Sequence, residues 1–451
     1  MLSSSYKGLV LSGKKYPIDD DDNQVQNQFI NDILCYRNII FEGRLEELVP
    51  LENFIPLKYI NYGYNKFSEL IPEQVFYDNL REIFCKSNDM NIILNIGNMI
   101  SFITFSLSEE DLLKYFIHVE NNIFNIASNY LTKFINIKLF KIISNILIHC
   151  LKYQNTRLCF PKKFNLLFYK YILSLDNIND LNEYYLTGLK YIFFFSKNCS
   201  KEDSHFILTT FSKIFHKITQ TRKCYKYFCC TCIEMIEKQT LIKVEFDSFQ
   251  FIETCIDLLS NEDEKIQIYS LLIIGKYLSK YNENLNLDIR FFINKAIISN
   301  NISLQIDSLW VSSMLLNEKT IEILLNSDAL PELISLYHKS ELPLKDEIIL
   351  FVSDLILAFL SQPPCSMEGL LFSHIENLKI IPLILENILY NTSKSDQERI
   401  YSTIIQLCQR YGETMKQLMA NDETHEIMTE LLRNETGIIH ELVTFIKKVP
   451  S

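Results

Sequence analysis

One sequence shape recurs along the second half of this chain: an apolar helical segment that ends in small polar residues. A longer apolar segment follows most copies, as at 264–280 and 345–362. A unit of this kind cannot bury its apolar face alone, so the recurrence predicts a stack of units that share one continuous core. Clear copies lie at 251–261, 291–300, 330–340 and 381–391, with a weaker copy at 425–434.

The spacing of the copies identifies the type of repeat. Their ends lie about 40 residues apart, apart from one longer interval that contains Pro363 and Pro364. The upstream segments 164–177 and 206–217 begin at a similar spacing. A period near 40 with two or three helices per unit is typical of armadillo and HEAT repeats. We therefore predict an all-α, armadillo/HEAT-type right-handed superhelical solenoid of about nine to ten two- or three-helix repeats. The alternative is a set of unrelated helices whose spacing arises by chance.

Composition agrees with this prediction. The 451 residues include only 10 Gly and 11 Pro, whereas β-sandwiches, β-barrels and doubly wound nucleotide folds need many turn or loop glycines. Hydrophobic residues make up 48%, which is ample for a core. The formal net charge of −11 argues against a nucleic-acid binder and favours basic partners.

The predicted boundaries leave most of the chain in one array. We expect a disordered acidic-ended N-terminal tail at 1–24, a repeat array at 25–446 and a short C-terminal tail at 447–451. The start of the sequence does not match a signal peptide, and the 12 cysteines then indicate free thiols in a cytoplasmic and/or nuclear protein. The apolar stretch Met90 to Ser108 predicts a buried helix, with a membrane span as the alternative.

Helix starts are readable at Ser108, Ser200 and Ser395. Each is followed by acidic residues at the spacing in which a hydroxyl caps a helix and a carboxylate reaches back. We expect the acidic residues at 109–111, 262–264 and 396–398 to cap their helices and to compensate the helix dipole. A second role as a negative rim around a groove is compatible with the first.

Two segments suggest a family within the armadillo class. Residues 28–60 resemble the opening repeat of the importin-alpha (karyopherin-alpha) nuclear-import adaptors, and residues 398–412 are similar to their closing repeats. The match in the first segment lies in Arg37, Ile40, Glu42, Leu48, Ile55 and Pro56.

A third resemblance is to the Trp-x-x-x-Asn motif of that family. Asn98 and Asn145 keep the Asn of the motif, and Trp310, the single Trp of the chain, keeps the Trp. The resemblance implies an Asn amide that binds an extended peptide backbone and an indole face that accepts a Lys or Arg stem. The alternatives are that Asn98 and Asn145 are two unremarkable residues of an Asn-rich chain and that Trp310 is a core residue between repeats.

The resemblance implies a non-enzymatic adaptor that binds basic peptide segments, such as nuclear localisation signals, for nuclear protein import. Its partners would be such a segment in the concave groove and the nuclear transport machinery. The family begins with an Arg/Lys-rich arm that recruits a beta-type importin, but this chain offers only Lys14 and Lys15 before four Asp. The alternative function is an armadillo scaffold for a cytosolic signalling, cytoskeletal or trafficking complex.

No pattern predicts catalysis, a cofactor or a metal. The sequence contains no H-E-x-x-H, G-x-S-x-G or phosphate-loop pattern. Cys229, Cys230 and Cys232 would point in different directions from one helix, so together with Cys224 they indicate buried thiols rather than a zinc site. We predict no catalytic residue, cofactor, metal, nucleic-acid partner or membrane span.

Overall fold

A computed structural model of the chain describes a defined part of the sequence. It covers residues 31, 34–47, 71, 73–134, 136–159, 209, 222–237, 250–281, 287–364, 366–390 and 394–433. These residues form helices joined by short turns and contain no β-strand. The chain divides into two compact units, Gly8–Phe251 and Ile252–Ser451. The upstream segments 164–177 and 206–217, Ser200 and the tails at 1–24 and 447–451 lie outside the described residues, apart from Thr209.

The N-terminal unit contains the first eight described helices. The fourth, α4, continues into a π-helical turn over Leu113–Ile117. The helices are α1 (34–42), α2 (Gln74–Lys86), α3 (Met90–Ser106), α4 (Glu109–Leu112), α5 (Ile123–Lys133), α6 (Ile137–Cys150), α7 (Gln154–Leu158) and α8 (Arg222–Glu237).

The remaining described helices belong to the second half of the chain. The first, α9, begins at the boundary between the units and ends in a 3₁₀ turn over Leu258–Ser260. They are α9 (Phe251–Asp257), α10 (Glu264–Tyr281), α11 (Ile289–Ile298), α12 (Ile302–Met314), α13 (Glu318–Leu325), α14 (Ala329–Lys339), α15 (Leu342–Leu360), α16 (Glu368–Asn377), α17 (Ile380–Tyr390), α18 (Lys394–Arg410), α19 (Gly412–Met419) and α20 (Asp422–Arg433).

The repeated segments seen in the sequence are helices in the structure. The five copies correspond to α9, α11, α14, α17 and α20, and the longer segments that follow them correspond to α10, α12, α15 and α18. The short helices α13 and α16 precede α14 and α17, and each is the first helix of a three-helix repeat. The predicted all-α armadillo-type solenoid is therefore confirmed as the fold class.

Asparagine side chains start many of these helices. Asn122, Asn136 and Asn301 each accept a hydrogen bond from a backbone N–H in the first turn of α5, α6 and α12. Asn317 forms a reciprocal capping box with Thr320 at the start of α13. The short amide satisfies N–H groups that have no partner within the helix, which gives part of the asparagine content a structural role.

The predicted serine caps have different outcomes. Ser108 accepts a hydrogen bond from Asp111 N at 3.1 Å and donates one to Asp111 Oδ2 at 2.9 Å, so this cap is confirmed. The prediction for Ser395 is wrong, because α18 already begins at Lys394 and Ser395 lies inside its first turn. The carboxyl group of Asp396 lies instead among acidic groups of a neighbouring helix.

The long third helix of each repeat packs against the third helices of the neighbouring repeats. In the N-terminal unit α3 packs on α6, and in the C-terminal unit α10, α12, α15 and α18 pack in succession. We call the second series the C-terminal ladder. Each ladder helix also packs against the second helix of its own repeat, as α12 does against α11 and α15 against α14.

Small residues permit this close packing. A Cβ atom on Gly97 of α3 would lie 2.9 Å from Ile142 Cγ2 of α6, and one on Gly275 of α10 would overlap the six-membered ring of Trp310 on α12. Ser308 on α12 and Ser353 on α15 are completely buried. Bulkier side chains at the glycine positions would push neighbouring repeats apart.

Arg410 of α18 binds the segment that makes one interval between repeats longer than the others. Its guanidinium donates to Leu360 O at 2.8 Å and Gln362 O at 2.9 Å, and it pairs with Glu368 at 2.8 Å. These bonds satisfy carbonyl groups at the end of α15 and hold the turn that contains Pro363 against α18. The extra residues of this interval therefore form a connection to α16.

Helix α3 lies in the stretch for which a membrane span was the alternative. It has 17 residues, and Ile96, Ile100 and Ile103 are among its buried side chains. In the described part of the chain, no helix combines the length and the apolar character needed to cross a membrane.

Replacement of Gly275 by Ala tests the close contact within the ladder. We expect Gly275→Ala to lower the free energy of unfolding by about 1–3 kcal/mol, because the new methyl group must displace the ring of Trp310. The matched control is Gly369→Ala in α16, where a Cβ meets nothing within 4 Å. The control should be neutral or stabilise by up to about 1 kcal/mol. Denaturant unfolding measures both, and equal effects would contradict the packing described above.

Candidate functional site

The N-terminal unit places Asn98 and Asn145 on neighbouring helices. Both side chains are partly exposed, on α3 and α6, and these helices are in direct contact through Gly97 and Ile142. Within the described residues neither amide has a hydrogen-bond partner. Each amide therefore retains its donor and acceptor groups for another molecule, which is the arrangement that peptide-backbone binding requires.

Trp310 belongs to the C-terminal unit, on the ladder helix α12. It is partly exposed, and its six-membered ring covers Gly275 of α10. Hence the residue takes part in helix packing while part of its surface stays accessible. Its proposed role as a slot for a basic side chain remains a prediction.

A cluster of charged side chains lies where α12, α15 and α18 meet. We call it the acidic cluster. It contains five carboxyl groups and one guanidinium within the described residues, so the carboxyl groups outnumber the cation. The members are Asp307 of α12, Asp346, Glu347 and Asp354 of α15, and Asp396 and Arg399 of α18.

Arg399 is committed to one of these carboxyl groups. Its guanidinium binds Asp354 through both Nε and Nη2, each to a different carboxylate oxygen. The Asp354 side chain is 15% exposed and that of Arg399 is 35% exposed. A paired geometry of this kind fixes α18 against α15 and uses the donors of Arg399 that face Asp354.

Asp346 has a neutral partner. Asn387 of α17, which is buried, donates from Nδ2 to Asp346 Oδ1 at 2.7 Å. Burial raises the pKa of Asp346, and the Asn387 hydrogen bond opposes that shift. The amide orients this carboxyl group without adding a positive charge to the cluster.

Glu347 and Asp396 are the members with unused acceptors. No donor in the described part of the chain lies within hydrogen-bonding distance of the Glu347 carboxyl group, and Asp396 Oδ1 is buried without a partner. Burial raises the pKa of Glu347 to about 7; the charges of Asp396, Asp307 and Asp346 add to this increase, and the attraction of Arg399 opposes it. The site therefore has a surplus of acceptors and a deficit of positive charge.

The sequence contains a signal for this cluster. Asp307 and Glu347 lie about one repeat period apart, at corresponding places on successive ladder helices. Alignment of the longer helices of successive repeats places the two residues at the same position. Asp396 carries a second signal, because its place at a helix start is equally typical of a capping residue.

The cysteine-rich segment forms the buried face of α8. Cys224, Cys229 and Cys232 are buried and Cys230 is partly exposed, and none of the four forms a disulfide. Among the residues that the structure describes, no group of three His, Cys, Asp or Glu side chains is placed to bind a metal ion.

Comparisons with known proteins support the fold. No protein-family model and no curated protein sequence matches the chain. An engineered protein of known structure is similar, with a TM-score of 0.59 and 11% identity over 87% of this chain and 93% of the other. A structure from work on a phosphorylation switch that controls the interaction between cadherin and beta-catenin is also similar, with a TM-score of 0.56 and 12% identity over 86% of this chain and 77% of the other. At these identities the similarity is one of fold, and it supports an armadillo-like helical solenoid.

The charge balance of the acidic cluster can be tested through Arg399. We expect Arg399→Gln to lower the free energy of unfolding at pH 8 by about 1–3 kcal/mol, because Asp354 and Glu347 lose their cation. The loss should be smaller at pH 5, where protonation of Glu347 relieves the repulsion.

The control for this variant is Arg290→Gln. Arg290 pairs with Asp288 at 2.9 Å, but both side chains are about half exposed, so the change should cost no more than about 0.5 kcal/mol. Urea unfolding at the two pH values measures both variants. A loss for Arg399→Gln that does not depend on pH would contradict the proposed balance.

Proposed function

We propose that this protein is a protein-binding solenoid and that its acidic cluster binds basic segments of partner proteins. The observation that supports this most is the surplus of carboxyl groups where α12, α15 and α18 meet, with Glu347 and Asp396 short of donors. A Lys ammonium carries three donors and a full positive charge, which is what the cluster lacks. The net charge of −11 adds a long-range attraction for basic partners.

The finer form of the proposal is an importin-alpha-like adaptor that binds basic peptide segments for nuclear protein import. It rests on the resemblance of 28–60, 398–412 and the Trp-x-x-x-Asn positions. Asn98 and Asn145 would bind the peptide backbone, and Trp310 would accept the stem of a basic side chain at about 0.5–2 kcal/mol. Such an adaptor works in the cytoplasm and the nucleus, with transport proteins as further partners.

A second candidate is an armadillo scaffold for a cytosolic signalling, cytoskeletal or trafficking complex. One observation favours it: the ring of Trp310 packs on Gly275, so part of its face is already used within the protein. Neither candidate includes an enzymatic activity. The two candidates differ in whether a basic peptide alone is a sufficient ligand.

A binding assay with a basic peptide tests the proposal. We expect the full chain to bind a fluorescent Lys/Arg-rich peptide at low salt and to bind it less tightly as salt rises, since the attraction is largely between charges. A peptide of the same length with Glu at the basic positions is the control and should not bind. Fluorescence anisotropy gives both affinities. Failure to bind the basic peptide at low salt would refute the proposal.

Substitution of the two asparagines tests the finer form. Each of Asn98→Ala and Asn145→Ala should weaken peptide binding by a factor of about 5–10, which corresponds to loss of a hydrogen bond worth about 1–1.4 kcal/mol. Both should leave the unfolding transition nearly unchanged, because the side chains are partly exposed and have no partner among the described residues. The control is Asn136→Ala, which removes the cap of α6 and should lower stability by about 1 kcal/mol. Unchanged peptide binding by both Asn98→Ala and Asn145→Ala would show that these two residues do not contribute to the site.

A further inference from the structure

Glu347 lies on the C-terminal ladder, and within the described residues no cation is hydrogen-bonded to its carboxyl group. Arg399 acts on it electrostatically, but the Nε and Nη2 edge of the guanidinium is bound to Asp354. The side chain is partly exposed, so a molecule from solution can reach it. A carboxyl group in such a place is stabilised either by a proton or by a cation that another molecule brings.

The surroundings of Glu347 come from every helix that meets at the cluster. Asp307 faces it from α12, Asp396 and Arg399 from α18, and Asp346 from its own helix. The contribution of α17 is the neutral amide of Asn387, which binds Asp346. Within the described residues the balance is therefore three nearby carboxyl groups against one cation.

Asp396 offers a second acceptor at the same place. Its Oδ1 is buried and has no hydrogen-bond partner among the described residues, and its charge acts on both Asp346 and Glu347. A buried acceptor without a donor lowers stability, and a donor from a bound molecule would recover that loss. This observation is independent of the charge count and also points to a cationic donor.

We propose that Glu347 exchanges its proton for a Lys or Arg side chain of the bound partner, so that binding is coupled to proton release. The inference rests on the proposed binding of basic segments at the acidic cluster. On binding, the carboxylic acid gives up its proton to solvent, and the carboxylate accepts hydrogen bonds from the ammonium or guanidinium group. No other bond forms or breaks.

The direction of the pH dependence follows from this exchange. Burial and the neighbouring carboxyl groups raise the pKa of Glu347 to about 7 in the free protein. Below that pH a basic partner must displace a proton, and above it the carboxylate is already charged. The affinity for a basic partner should therefore rise about tenfold between pH 6 and pH 8 and then level off.

The test measures how tightly the full chain binds a Lys-rich peptide between pH 6 and pH 8.5 at constant ionic strength. The peptide is acetylated only at its N-terminus and contains no His. The charge of this peptide does not change over that range, so any pH dependence belongs to the protein. Isothermal titration calorimetry in phosphate and in Tris, which differ in ionisation enthalpy, gives the number of protons released. The proposal predicts a tenfold rise in affinity and release of a substantial fraction of a proton near pH 7.

Two variants separate the contribution of Glu347 from the contributions of the other ionisable groups of the chain. Glu347→Gln keeps the shape of the side chain without its charge, and its binding should not change between pH 6 and pH 8. Glu332→Gln removes an exposed carboxylate of α14 and should keep the full pH dependence. Unfolding curves of both variants, followed by the emission of Trp310, confirm that they are folded.

The outcomes distinguish the two proposals. Absence of binding at every pH refutes the proposed function and this inference with it. Binding without pH dependence, or with the same pH dependence in Glu347→Gln, overturns the inference and leaves the proposed function in place. Loss of pH dependence in Glu347→Gln alone supports the exchange of a proton for a cation.

Discussion

The packing of each third helix against the third helices of the neighbouring repeats is the contact on which the rest of the structure depends. Helices approach this closely only where one side presents a small residue, as Gly97 does to Ile142 and Gly275 does to Trp310. The contact fixes the register of the repeats, because a shift by one residue would place a larger side chain at each crossing. A solenoid with short turns needs few glycines, and this chain uses some of its few glycines at such crossings.

The same packing causes repulsion between carboxyl groups in the C-terminal ladder. Because α12, α15 and α18 lie side by side, carboxyl groups at corresponding places come together, and burial makes their repulsion strong. Arg399 and Asn387 satisfy Asp354 and Asp346, but Glu347 and Asp396 keep acceptors that the described residues do not fill. A charge deficit of this kind destabilises a fold and is therefore more easily understood as part of a binding surface than as a device for stability.

The sequence was sufficient to predict the helices and their spacing, because apolar periodicity and a repeat of about 40 residues are local signals. It was less reliable at helix starts: Ser108 caps α4, whereas Ser395 lies one residue inside α18. It did not predict the acidic cluster, because that site depends on which faces of α12, α15 and α18 meet and on which carboxyl groups this brings together. For Trp310 the sequence left two interpretations open, and the contact with Gly275 supports packing while part of the ring stays accessible.

The central claim is that partners bind where the ladder helices bring the carboxyl groups together. Hydrogen–deuterium exchange of the full chain, with and without a saturating Lys-rich peptide, tests it most directly. The account predicts that the peptide slows exchange in α12, α15 and α18, because a bound cation links the three helices and lowers their local opening. Protection confined to other helices, with these three unchanged, would contradict it.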